Sequence, residues 1–390
     1  MIRSALLFAG LSLPCTAFAV QVSGKVGLQW QAYPDKGQYS GQQYQSNLSA
    51  NIGPEFYWQW RDGNSSLLVK PYYRIDEHDD ERSRGDIREF LWMHTHDNIE
   101  IKAGISKVFW GVTEFQHLVD VINQTDSVDS FDGEEKLGQP MVNLSLVNDW
   151  GIVDAFVLPG FRERSFAGKH GRLRPGMVID DDNARYQSDD KDQHVDYALR
   201  WSHSVDVFDL GAYWFNGTNR EPVFEVNGDK LTPYYEQMTQ FGVDLQATID
   251  AWLWKAEAIY RDAKEHNFSA LQAGFEYTLY GIQDSDMDLG LLTEYGWNER
   301  GKHSDSVAQN DIYAGARLTL NDAASSDLLI GGGYDPDYHS KSLLVEASRR
   351  IGESWKLSLD MRVFDGKKAA DPITAIRKDD RFQLTLERYF

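Results

Sequence analysis

The chain ends Arg381-Phe-Gln-Leu-Thr-Leu-Glu-Arg-Tyr-Phe390, and no other stretch constrains the fold as strongly. Phe382, Leu384 and Leu386 alternate with Gln383, Thr385 and Glu387. A period of two makes a strand with one apolar and one polar face. A lone strand is not stable in water, so this one must pair. Pairing it with the first strand of the mature chain closes a barrel. The same alternation recurs from the start. Val26, Leu28 and Trp30 oppose Lys25, Gly27, Gln29 and Gln31. Leu48, Ala50, Ile52, Phe56, Trp58 and Trp60 oppose Ser49, Asn51, Glu55, Tyr57 and Gln59. Ile99, Ile101, Ala103 and Ile105 oppose Glu100, Lys102, Gly104 and Ser106. The fourth strand, Ile87 to His94, is ambiguous, because Leu91 and Met93 compete with Phe90 and Trp92 for the apolar face.

Arg3, an apolar run from Ala5 to Leu13 and Ala17-Phe-Ala19 read as a secretory signal peptide over residues 1–19, leaving 20–390 as one barrel domain. The single cysteine, Cys15, leaves with it, so neither a disulfide framework nor a thiolate site is expected. Beyond residue 19 no apolar run reaches the roughly 20 residues that a spanning helix needs. The negative mean hydropathy suggests a soluble secreted protein. That reading leaves 12 Trp, 19 Tyr and 19 Phe unexplained beside a net charge of −21. Lipid-facing strands show lipid only half their residues, and aromatic girdles mark their two interfaces. Loss of Arg3 takes the charge to −22, which argues against a nucleic-acid partner.

Strands are expected at Val22–Tyr33, Leu48–Trp60, Leu67–Ile75, Ile87–His94, Ile99–Lys107, Met141–Val147, Ile152–Leu158, Val195–Trp201 and Val207–Phe215. They continue at Met238–Thr248, Trp252–Arg261, Phe268–Tyr280, Met287–Trp297, Ile312–Leu320, Leu328–Tyr334, Ser342–Ile351, Trp355–Phe364 and Arg381–Phe390. A small hairpin, Val223 to Tyr235, turns at Asn227-Gly228 within one loop. The reading is all-β: a single transmembrane antiparallel up-and-down barrel of about 18 strands, in a 16–18 range. Loops after odd strands read as long and polar, and links after even strands as short, as in Thr248-Ile-Asp-Ala-Trp252. Long extracellular loops and short periplasmic turns have this parity. A soluble sandwich has no reason to sort its loops so.

The Phe-terminated amphipathic strand resembles the terminal strand of Gram-negative outer-membrane β-barrels, where it also serves as an assembly signal. The whole pattern resembles outer-membrane channels of the porin type. Arg88-Glu89-Phe90, Ile99 to Gly104, Trp110-Gly111, Asp120 and Asn123 resemble alginate-export-like substrate-channel barrels over about a tenth of the chain. The resemblance implies transport, a place in the bacterial outer membrane, and contact with its lipid and lipopolysaccharide. A homotrimer or an export-complex partner is compatible with it. The alternative functions are the barrel component of an export or assembly complex and, less well supported, a barrel hydrolase. For a hydrolase, His203-Ser204, His303-Ser304-Asp305 and His339-Ser340 lack a signature spacing. His94 and His96 make half a metal site. No cofactor and no metal are expected.

Inward strand positions carry both signs of charge: Lys25, Lys70, Arg74, Lys102, Arg200, Lys255, Arg261, Arg317 and Arg362 against Glu55, Glu100, Asp244, Glu257, Glu276, Glu294, Glu346, Asp360 and Glu387. Such a wall lines a wet lumen and orients polar solutes, or its members pair across strands. The segment Trp110 to Pro140 is the candidate constriction loop, carrying Glu114, His117, Asp120, Asp126, Asp129, Asp132, Glu134 and Glu135. Within it Glu114 to Ile122 predicts a short helix, with Phe115, Leu118, Val119 and Ile122 on one stripe. Asp129-x-x-Asp132-Gly133 does not match a calcium loop. The next loop carries Arg162, Arg164, Lys169, Arg172 and Arg174, then Asp180-Asp-Asp182. That basic cluster is expected to clamp the constriction loop, with lipopolysaccharide phosphates or an anionic substrate as the other contacts it suits. The function these features favour is passive diffusion of small hydrophilic solutes with a mild preference for cations.

Overall fold

A computed structural model describes residues 20–61, 63–129, 133–264, 267–304 and 309–390. The proposed leader, Asp132 and Asp305 lie outside the described residues. In chain order the strands are β1 (Gln21–Ala32), β2 (Ser46–Trp60), β3 (Ser65–Asp76), β4 (Gly85–His96), β5 (Ile99–Ser106), β6 (Gln139–Asn148), β7 (Gly151–Pro159), β8 (Val178–Ile179), β9 (Arg185–Tyr186), β10 (Val195–Val205) and β11 (Phe208–Thr218). Then come β12 (Val223–Asn227), β13 (Lys230–Tyr235), β14 (Gln237–Ile249), β15 (Trp252–Ala263), β16 (Phe268–Leu279), β17 (Asp288–Asn298), β18 (Asn310–Thr319), β19 (Asp327–Tyr334), β20 (Lys341–Ile351), β21 (Trp355–Asp365) and β22 (Arg381–Tyr389). Four of them, β8, β9, β12 and β13, form a small sheet in the loops, which includes the hairpin at Asn227-Gly228. The other 18 form one antiparallel sheet that closes on itself. Among the described residues there is no α-helix.

The terminal strand closes the barrel. β22 pairs β1 in a register from Lys25 opposite Tyr389 to Ala32 opposite Phe382. Gly24 and Phe390 exchange both backbone hydrogen bonds, at 3.0 and 3.1 Å, and Lys25 Nζ meets Glu387 Oε1 at 2.6 Å. A side chain at Gly24 would stand 2.7 Å from the Gly53 carbonyl oxygen and from Pro54 Cα, so only glycine lets three backbones converge at the seam.

The outward face is apolar and uncovered. Leu28, Leu48, Val142, Leu199, Val243, Leu291, Ile312 and Ile330 are all exposed. Trp30, Trp214, Trp297, Tyr73, Tyr197, Tyr260, Tyr295 and Tyr334 ring the long-loop rim, also exposed. Trp150, Trp252, Trp254 and Trp355 ring the short-turn rim, where Trp252 and Trp254 stack at 5.5 Å beside Phe275 and Tyr277. An apolar band between two aromatic girdles is the surface of a barrel that spans a bilayer.

The structure resolves one ambiguity and corrects one expectation. The fourth strand has no single alternation because it bulges: the register with β3 shifts between Lys70 and Pro71, and Arg88 faces no partner residue. Arg88 and Glu89 thus both turn inward, while Ile87 and Phe90 stay exposed. The parity of the loops also has exceptions. The link after β15 spans only 264–267, whereas the even links 280–287 and 320–326 are longer.

Candidate functional site: a loop strap across the lumen

The loop joining β5 to β6 runs inside the barrel. Asn123, buried, draws its neck together: its amide donates to the carbonyls of Ser106 and Leu137, both at 2.9 Å, and its oxygen accepts from Val108 N at 2.8 Å. From there the loop is fastened at two sides of the barrel. Six strands separate β4 from β15 one way round, and seven separate β3 from β17 the other. A loop held by β3–β4 and by β15–β17 therefore crosses the lumen as a strap.

At the β15–β17 side the fasteners are wall carboxylates. Glu257, fully buried, accepts from Val112 N at 2.7 Å, Thr113 N at 3.0 Å, Thr113 Oγ1 at 2.7 Å and Val119 N at 3.2 Å. Glu294 accepts from Glu114 N at 2.7 Å, Phe115 N at 3.2 Å and Gln272 Nε2 at 2.8 Å. The Phe115 ring stacks on Tyr313 at 4.8 Å and 13°. It fits because Gly331 presents no side chain, since a Cβ there would lie 3.0 Å from the ring. These contacts explain why the predicted helix over Glu114–Ile122 does not form. Glu257 takes the Val119 N–H that such a helix would give to the Phe115 carbonyl, and fastening at Val112 to Phe115 and again at Val119 draws the chain out between them.

At the β3–β4 side the fasteners are arginines. Asp126 pairs with Arg84, with Arg88 at 2.6 Å and with Ser165 Oγ at 2.7 Å. Asp129 pairs with Arg74 at 2.8 Å and with Arg88 at 2.6 Å. Arg88 lies 4.4 Å over the Tyr72 ring, and Arg82 donates to the Val128 carbonyl at 2.8 Å. Burial pushes the Asp126 carboxyl up, but Arg84 and Arg88 outweigh it and hold the group below the usual carboxylate range. A further hook is Arg220, which donates to the Ile122 carbonyl at 3.0 and 3.1 Å while paired to Asp196 at 2.6 Å.

Between its ends the strap fills one side of the lumen. Trp110, Val119, Val121 and Ile122 pack on inward residues of the wall from β6 to β16, among them Met141, Phe156, Leu158, Tyr213, Phe215 and Ile259. In β11 Tyr213-Trp214-Phe215 is apolar on both faces, a local sequence signal for a filled lumen, although the same half-wall also buries Asn143, Asp244 and Glu257. The opposite wall is polar. Gln31 donates to Gln383 at 2.8 Å, and Arg381 meets Asp360 at 2.9 Å. Arg362 pairs with Asp360 at 2.9 Å and with Glu346. Arg317 lies 2.7 Å from Glu114 at the strap and 3.8 Å from Glu276.

The remaining expected site residues are placed as follows. His117 contacts Glu134 at 2.8 Å; burial lowers its pKa, but Glu134 reverses that and holds it above the usual value. Asp120 is buried with Lys136 at 3.1 Å, and burial still keeps its carboxyl above the usual range. Lys102 pairs with Glu100 at 2.6 Å, Arg200 with Asp244 at 2.8 Å, and Lys255 approaches Glu114 at 3.7 Å. Arg261 is held by Gln240 at 2.7 Å and Glu221 at 2.8 Å. Of the basic cluster, Arg162 reaches the strap's end at the Gly138 carbonyl, 2.9 Å, and Arg164 reaches Gln124 at 3.2 Å. Arg172 and Arg174 do not touch the strap. Arg172 pairs with Asp379 at 2.5 Å, and Arg174, over the Tyr39 ring, donates to the Lys169 carbonyl at 3.0 Å. Sequence reading missed Arg82 and Arg84, which directly follow the acids Asp79, Asp80 and Glu81.

No family model and no curated protein sequence matches this chain. Solved structures do. A BenF-like porin from Pseudomonas fluorescens Pf-5 superposes with a TM-score of 0.56 at 8% identity, over 95% of this chain and 98% of that one. OccK11 (OpdR) of Pseudomonas aeruginosa gives 0.53 at 8% identity, over 95% of each chain. The fold is that of a bacterial outer-membrane β-barrel channel.

Proposed function

We propose that this protein is a passive channel for small hydrophilic solutes, with the strap setting what passes. The observation that carries the reading is the strap itself: it is fastened by charge at both ends, packs its apolar residues against one half of the wall, and leaves the charged half facing it. Glu114 on the strap, ion-paired to Arg317, and Arg362 and Arg381 on the wall, each paired to Asp360, set both signs of charge beside the solute's path, where they orient dipoles. Solute transit then depends on pore radius and on this transverse field. A mild preference for cations rests on the chain's surplus of carboxylates. The strap contributes little to it, since Asp120, Asp126 and Asp129 are each engaged by a cationic side chain.

The test is single-channel recording in a planar bilayer with a salt gradient. Stable steps with a reversal potential on the cation side are expected. Folded, heat-modifiable protein that never conducts would refute the open-channel reading.

A further inference from the structure

At the long-loop end, above the strap, lies a cavity of about 410 Å³. Phe115 and Gln116 of the strap form its floor, and the long-loop ends of β18 to β21 form much of its wall. The cavity joins two unlike surfaces. One is apolar: Phe224, Phe268, Leu344, Phe364, Ile373 and Ile376. Water against such a wall lacks hydrogen-bond partners.

The other surface carries Asp311, Asp335 and Ser340. Asp311 accepts only from the Gln309 and Asn310 backbone, at 2.7 and 3.2 Å. Asp335 accepts only neutral N–H groups, from Gln309 Nε2 at 2.9 Å, Asp337 N at 2.6 Å and Tyr338 N at 2.9 Å. Among the described residues neither carboxylate has a cation within ion-pair reach. Ser340, 2% exposed, has an unpartnered Oγ, and the neighbouring Gln309, also 2% exposed, has an unpartnered Oε1. Buried carboxylates without a cation, beside idle acceptors, are costly unless a positively charged donor joins them. The arginines of the cavity are engaged elsewhere: Arg164 with Gln124 and the Arg220 carbonyl, Arg261 with Glu221, Arg362 with Asp360, and Arg300 stacked 3.7 Å over Phe268. Lys341 is exposed at the rim.

We propose that this cavity binds a small organic cation, an ammonium head on an apolar body, held above the strap before it passes. The head donates to Asp311, Asp335 and Ser340 Oγ, and the body lies against Phe364 and Ile373. A bare metal ion suits the site less well. It has no use for the apolar wall, and no group of three or more His, Cys, Asp or Glu among the described residues is placed to hold one. A cavity of this size accommodates a molecule of one ring and a short chain. The inference rests on the channel reading and deepens it.

The experiment is current block in a bilayer, with phenethylammonium, phenylalanine, phenylacetate and plain ammonium added at the long-loop side. Phenethylammonium is expected to block at concentrations where phenylacetate and ammonium do not. Asp311→Asn and Ser340→Ala are each expected to weaken that block, by about tenfold or more for the lost carboxylate. Block by phenylalanine as well extends the ligand class to amino acids; its absence keeps the class to simple amines. Equal block by phenylacetate, or an unchanged block in both variants, overturns the proposal. If Asp311→Asn does not assemble, Ser340→Ala alone decides. If the barrel does not conduct, calorimetry with phenethylammonium on the folded protein in detergent separates the claims: heat of binding keeps the site and rejects the channel, and no heat rejects the site.

Discussion

Replacing Glu257 by alanine tests whether the strap is a fastened element or a passive filler. In the native barrel this buried carboxylate accepts three backbone N–H groups, from Val112, Thr113 and Val119. The Thr113 hydroxyl is not orphaned by the change, because it also reaches the Gln116 carbonyl at 2.5 Å. Each orphaned buried N–H costs about 1–3 kcal/mol, so the three together cost about 3–9 kcal/mol. Water in the lumen reaches some of them, which favours the low end. At about 3 kcal/mol the balance between docked and undocked strap shifts about a hundredfold. The apolar core at Trp110, Val119 and Ile122 and the arginines around Asp126 still hold. The strap should therefore undock at one end without the barrel unfolding. Single-channel recordings of Glu257→Ala are expected to show larger and noisier openings than the parent, with heat-modifiable mobility retained. Glu257→Gln keeps one acceptor oxygen and should fall between the two. A conductance histogram identical to the parent's for Glu257→Ala would refute the reasoning.

Other consequences follow from the same contacts. Arg88→Met leaves Asp126 and Asp129 short of a buried counter-charge and should cost about 3–5 kcal/mol; thermal unfolding would show a lowered midpoint, partly restored by adding Asp126→Asn, and an unshifted midpoint would count against the clamp. Because Asp126 titrates below the usual range in the folded protein, its contribution is present above the ordinary carboxylate value near 3.9 and is lost as pH falls through its lowered folded value. Conductance recorded from pH 7 down to 2 should accordingly show Asp126-dependent loosening only below about pH 4, and loosening that begins near pH 6 would contradict this. His117 has the opposite sign: its pairing with Glu134 is fully present below the ordinary value near 6.5 and is lost as pH rises through the raised folded value, so His117→Gln should remove any pH dependence seen above about 6.5. Gly24→Ala places a Cβ 2.7 Å from backbone atoms of β2 and should prevent closure, seen as loss of the heat-modifiable band.

The barrel was legible in the sequence because alternation is a local signal. Phe382, Leu384 and Leu386 declare their face without reference to any other strand. The tryptophans near the short turns, such as Trp252 and Trp355, mark where the bilayer ends. Even the closing pair was foreseeable, since an unpaired terminal strand has to find a partner. The bulge at Lys70 and Pro71 was legible only as ambiguity, because one extra residue turns two neighbours to the same side.

The inside of the barrel was another matter. Sequence identified the acids of the β5–β6 loop and suggested that they face solutes and cations. Only the tertiary structure set Asp126 and Asp129 against Arg74, Arg84 and Arg88, and replaced a helix with a strap drawn out by Glu257 and Glu294. Strand faces are set by neighbours two residues apart, so the sequence alone determines the wall. The strap's course depends on side chains from 38 to 180 residues away along the chain, which meet it only once the wall has closed, so tertiary structure decided what the wall encloses.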